Sequence, residues 1–142
     1  MNSNIMTSLG IALAGACGTL MRYWVGLATA RISQTLPWGT ILINLSGSFA
    51  IAFFGTLTVG NARFQVPDTA RLMFMVGICG GYTTFSSFTL QTLDLLRGGA
   101  PGRALLNIVL SVTLGMASVT AGYVAAQALN PPRPTAGSGE PR

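Results

Sequence analysis

Four long stretches without a charged side chain divide the sequence: residues 1–21, 32–62, 72–93 and 104–132 contain no Asp, Glu, Lys or Arg. A helix crossing the hydrocarbon core of a bilayer needs about 20 predominantly apolar residues. The pattern therefore predicts four membrane helices, near 5–30, 38–60, 70–96 and 103–128. The links between them, residues 31–37, 61–68 and 97–103, are short and force neighbouring helices to run antiparallel. Pro67 and Asp68 suit a helix start. Tyr23, Trp24 and Trp38 fall near predicted helix ends, where interfacial aromatic side chains belong. One four-helix domain over 1–130 follows. The segment 131–142, rich in Pro, Gly and small polar residues, cannot build a core and is expected to be a disordered tail.

Composition agrees. Half of the residues are hydrophobic and 8% are charged, against roughly 25% in a soluble domain. The net charge of +5 comes from eight Arg scattered singly, with no Lys and no His. No basic stripe forms, which argues against nucleic-acid binding. Cys17 and Cys79 lie in apolar runs without metal-ligand spacing, so they are expected to be buried free thiols. Ala14-Gly15-Ala16-Cys17 loosely resembles a processing site, but the first ten residues lack the positive charge of a signal peptide, and the segment is expected to stay as a membrane helix.

Charge gives no orientation. With the N-terminus inside, Arg63, Arg71, Arg133 and Arg142 would be cytoplasmic, and Arg22, Arg31, Arg97 and Arg103 would lie at the other surface, four on each side. The positive-inside rule then has no preference, and two copies inserted oppositely could pair about a two-fold axis in the membrane plane. Gly10, Ala14 and Gly18, spaced by four, make a small-residue face for close helix contact, as do Gly115 and Gly122. Packing within the chain and packing between copies both fit.

Polar residues inside a membrane are costly and suggest function. Thr40, Asn44 and Ser48 recur every four residues on the second helix; Asn107, Ser111 and Ser118 lie close to one face of the fourth. They offer hydroxyl and amide donors without fixed charge. Such groups can glue helices together, but two uncharged stripes favour a lined pathway. In the third helix, Gly80-Gly81 followed by Thr83-Thr84 disfavours regular helix, and a break mid-membrane would free carbonyls that suit a small cation. Phe85 and Phe88 project to one side, and the positive edges of their rings could meet an anion without trapping it. Ser86, Ser87 and Thr89 are nearby donors.

Pro37-Trp38-Gly39-Thr40 through Asn44 and Gly47, together with Gly80-Gly81-Tyr82-Thr83-Thr84-Phe85-Ser86-Ser87-Phe88, resembles the Fluc fluoride channel family, also called CrcB, over about residues 8–128. The resemblance implies an antiparallel, dual-topology homodimer in the bacterial inner membrane, with two fluoride paths and a structural sodium ion at its centre. It implies that Phe85 and Phe88 line the fluoride path with Asn44. Ser111 and Thr89 would lie along a polar track, and Arg22 near an aqueous vestibule. The backbone carbonyls of Gly80 and Thr83 would hold the sodium. Two positions depart from the family's pattern: Gln91 stands where many relatives have Glu, and Asn107 where many have Tyr.

The main alternative is a proton-coupled small multidrug exporter, also a four-helix protein. It needs an ionisable carboxylate within the membrane, whereas Asp68 and Asp94 fall at predicted helix ends. A non-conducting scaffold would have no use for two polar stripes. The absence of a nucleophile–base pair or a metal-ligand cluster argues against an enzyme.

Overall fold

A computed structural model describes residues 3–59 and 64–130. The expected tail, and Arg63, Arg133 and Arg142 of the charge count, lie outside the described residues. Everything described is helix and short connection. Helix α1 spans Ser3–Thr29 and α2 spans Trp38–Leu57. Helix α3 covers 68–82: it starts as Asp68–Leu72, widens to a π-helical run over Met73–Cys79, and closes with Gly80–Tyr82. Helix α4 spans Phe85–Arg97 and α5 spans Pro101–Leu129. The helices α1, α2 and α5 are each long and apolar enough to cross a membrane.

Local chemistry explains several boundaries. The loop before α2 folds back so that the Ser33 hydroxyl accepts from the Gly39 N–H at 3.0 Å, satisfying one of the free amides of the helix start. At the other end of α2, the Arg71 guanidinium reaches from α3 to donate to the Gly55 carbonyl at 3.2 Å and to the Thr58 hydroxyl. A cation at a helix C-terminus meets the negative end of the helix dipole. Pro101 opens α5, where its missing N–H would have had no partner in any case.

Packing follows two seams. Helix α1 lies along α3, and α2 lies along α5. The small residues explain how closely they approach. A Cβ on Gly18 would overlap the backbone of Ile78 and Tyr82, one on Gly77 would strike Ala14, and one on Gly81 would strike the Gly15 carbonyl. Gly122 meets the backbone of Phe49 in α2 in the same way. The face formed by Gly10, Ala14 and Gly18 is therefore an intramolecular seam. Gly115, by contrast, has nothing of the chain within 4 Å of the position a Cβ would take.

The fully buried interior is small, with Ile41, Ala104 and Ala126 at its centre. Large apolar side chains such as Leu13 (71% exposed) and Trp24 (65%) point outward. Contiguous apolar surface of that kind belongs against hydrocarbon or a partner rather than water. Cys79 is buried as expected, but Cys17 is exposed on α1.

Candidate functional site

The chain leaves helical geometry between α3 and α4. Gly80 is helical, with φ −65 and ψ −38, so the Gly80-Gly81 pair does not itself interrupt the helix, contrary to the sequence expectation. Gly81 serves the close approach of α1, whereas Gly80 is exposed and has nothing of α1 beside it. The departure falls on Thr83 (ψ 159) and Thr84 (φ −152, ψ 113), both extended. β-branched residues favour such geometry.

Asn44 of α2 clamps this segment. Its Oδ1 accepts from the Thr84 N–H at 2.8 Å, and its Nδ2 donates to the Thr84 carbonyl at 3.0 Å. In a continuing helix the Thr84 N–H would go to the Gly80 carbonyl; here that donor is diverted to Asn44. Thr84 in turn caps α4, its hydroxyl accepting from the Ser87 N–H at 3.1 Å and lying 3.0 Å from the Ser87 hydroxyl. An amide side chain thus takes the N–H that the helix gives up and adds a second donor to the N-cap carbonyl of α4, and Thr84 is only 7% exposed.

Two concavities meet at Thr84. The larger, about 520 Å3, is a vestibule bounded by Arg22 of α1, Thr40 of α2, Arg103 of α5, and Thr84, Ser87, Gln91 and Asp94 along the α4 segment. Gln91 Oε1 is buried without a hydrogen-bond partner among the described residues. The smaller, about 270 Å3, is bounded by Asn44, Gly47 and Ser48 of α2, by Cys79 and Gly80 of α3, and by Thr83, Thr84 and Phe85. No Asp, Glu, Lys or Arg is among them, and its polar groups are amide, hydroxyl, the Cys79 thiol and backbone.

The expected residues distribute around these spaces. Thr40, Asn44 and Ser48 share a face, with Thr40 at the vestibule and the other two at the smaller concavity. Arg22 borders the vestibule. Phe85 is 76% exposed at the rim, with its ring centre 5.6 Å from that of half-buried Phe88. The Ser86 hydroxyl is 3.3 Å from that of Thr84, and Thr89 donates back to the Ser86 carbonyl at 3.0 Å, both on the exposed side of α4. Gly80 and Thr83 border the same small concavity. Because the Gly80 carbonyl has lost its usual helical donor, the carbonyl chemistry there fits a hard cation such as sodium.

The fourth-helix stripe does not act as one lining. Ser118 donates to the Leu45 carbonyl of α2 at 2.7 Å, an interhelical bond. Asn107 is fully buried and donates to Thr92 of α4 at 2.8 Å. Ser111 is half-buried, with a long contact of 3.4 Å to Asn107. Sequence reasoning placed Thr84 in the irregular segment without seeing its role as cap and partner of Asn44, and it overlooked Thr92. Thr84 carried a signal, the Thr84-Phe85-Ser86-Ser87 spacing of an N-cap; Thr92 carried none.

Residues 9–123 match the family described as CrcB-like protein, Camphor Resistance (CrcB). The chain belongs to the CrcB family. It is 54% identical over 120 residues, 84% of each chain, to a protein of Methylobacterium radiotolerans named fluoride-specific ion channel FluC. It is 53% identical over 125 residues, 87% of each chain, to the protein of that name from Gluconobacter oxydans. A third, from Methylocella silvestris, is 50% identical over 126 residues, 88% of this chain and 96% of that one. Membership of the CrcB family and three apolar helices of spanning length make this a multi-pass membrane protein and not an enzyme.

Proposed function

We propose that this chain forms a fluoride-selective channel that lets fluoride leave the cytoplasm. The observation that carries the reading is the pair of spaces joined at Thr84: a vestibule with Arg22 and Arg103 at its border, and beyond it a concavity whose polar groups are all uncharged. Cationic side chains at the mouth raise the local anion concentration. Conduction then needs donors that replace water around the ion without holding it. The second Nδ2 proton of Asn44, the hydroxyls of Thr40, Ser86, Thr89 and Ser111, and the ring edges of Phe85 and Phe88 meet that requirement. A proton-coupled exporter would need a carboxylate in the interior, and none borders the smaller concavity.

Phe85 is 76% exposed and Gly80 is exposed beside the smaller concavity, and the Ser46 and Tyr82 hydroxyls bond to each other at 2.9 Å on an exposed face. Polar groups facing hydrocarbon are costly, and a second copy would cover them. The reading therefore includes an antiparallel dual-topology homodimer in the bacterial inner membrane. In it α3 and α4 are the halves of one crossing broken mid-membrane. Sodium at the dimer centre would be held by the Gly80 and Thr83 carbonyls of both copies and would supply fixed positive charge between them.

The test is efflux from liposomes holding the purified protein. A fluoride electrode should record rapid release on abolishing the membrane potential with valinomycin, with no matching chloride release. Equal chloride and fluoride release, or neither, would refute the proposal.

A further inference from the structure

Three hydrogen bonds run in one direction from α5 into α4. Ser111 Oγ donates to Asn107 Oδ1 at 3.4 Å, Asn107 Nδ2 donates to Thr92 Oγ1 at 2.8 Å, and Thr92 Oγ1 donates to the Phe88 carbonyl at 2.7 Å. The direction is set by chemistry. A carbonyl can only accept, so the Thr92 proton points at Phe88. Thr92 must then accept from the amide, which turns Nδ2 toward Thr92 and Oδ1 toward Ser111. Asn107 has no solvent exposure and Thr92 is 8% exposed, so water does not compete for these bonds.

We infer that Asn107 is a positioning residue that acts through Thr92 on the backbone of Phe88 and through its carbonyl on the hydroxyl of Ser111. The inference rests on the fluoride-channel reading. The link joins the backbone of a ring residue of the proposed path on α4 to a hydroxyl of the proposed path on α5. It holds Thr92 in the rotamer that bonds back to residue 88, an interaction that tends to bend a helix locally. It also leaves the Ser111 proton on a long, weak bond. That proton can turn to an arriving anion at little cost, while the strong link at Thr92 stays closed. Asn107 itself lies outside the path, shielded from the ion.

The decisive variant is the double Thr92→Val, Asn107→Leu. Thr92→Val alone would strand the buried Nδ2 of Asn107, whereas replacing both partners by apolar groups of similar shape can be nearly neutral for folding. The double variant is expected to elute as the parent does and keep its melting midpoint. Its fluoride efflux should fall about tenfold, equivalent to ~1.4 kcal/mol of barrier, and its fluoride-to-chloride ratio should fall with it. Thr92→Ser keeps the hydroxyl and should restore flux to within about twofold of the parent. A merely structural role would lower the midpoint and the folded fraction but leave the ion ratio alone. Parent-like flux and ion ratio in a folded double variant overturn the inference and leave the channel reading standing. A loss of folding in the double variant also overturns it, since the bonds would then be structural. A parent protein that passes no fluoride overturns both.

Discussion

Replacing Asn44 with Ala removes both bonds to Thr84, the 2.8 Å bond from its N–H and the 3.0 Å bond to its carbonyl. Thr84 is 7% exposed, so both backbone groups would be left largely without water. An unsatisfied buried polar group costs roughly 1–3 kcal/mol. The Thr84 N–H has an escape, because it can swing back to the Gly80 carbonyl and extend α3 by one residue. The carbonyl, at the N-cap of α4, still accepts the first bond of that helix. We therefore expect a loss of about 2 kcal/mol, two hydrogen bonds at roughly 1 kcal/mol each. At roughly 4 °C per kcal/mol for a chain of this size, that is a fall of about 8 °C in melting midpoint. Asn44→Asp separates the two bonds. Its carboxylate still accepts from the Thr84 N–H, but it cannot donate to the Thr84 carbonyl and sets two oxygens against each other. It also places a negative charge beside the small concavity. The assay heats detergent-solubilised protein, measures the surviving native elution peak, and pairs each midpoint with fluoride efflux from liposomes. Both variants should lose most of their flux, Asn44→Ala through the relaxed segment and Asn44→Asp through repulsion of the anion. An Asn44→Ala protein with the parent's midpoint and flux would show that Thr84 needs no clamp, and the account of the α3–α4 junction would fail.

Three other outcomes are expected. Phe85→Ile and Phe88→Ile keep most of the apolar volume, a change that usually costs under about 1.5 kcal/mol, so each should fold while flux drops strongly; parent-like conduction would reduce the rings to packing. Gly81→Ala places a methyl against the Gly15 carbonyl, part of a backbone that cannot turn aside, and should cost about 1–3 kcal/mol by overpacking; an unchanged melting midpoint would mean that α1 and α3 are not in close contact. With Cys17 and Cys79 replaced, a single Cys at Gln34 should react with an impermeant maleimide added on either side of the membrane, and labelling from one side alone would end the dual-topology reading.

The membrane class and most helix limits were legible along the chain, because each depends on local properties. A charge-free run of about 20 residues has one low-energy fate in a bilayer, since only a helix satisfies its own backbone there. That is why the stretches expected at 5–30 and 103–128 appear as α1 and α5 with ends shifted by one to two residues. The family motif around Phe85 was equally local. What tertiary structure decided was which partner each polar group takes. Asn44, Asn107 and Ser118 are all uncharged polar residues on apolar helices, and nothing in their spacing distinguishes them. Yet Asn44 clamps Thr84, Asn107 vanishes into the α4–α5 contact, and Ser118 bonds to Leu45. The same holds for the irregular segment. Gly80-Gly81 looked like the weak point by helix propensity, but the missing side chain of Gly81 let α1 come close, and that packing outweighs its propensity cost of about 1 kcal/mol. The helix gives way instead at Thr83 and Thr84, because there a side chain from another helix, 40 positions away, supplies the acceptor that the Thr84 N–H loses.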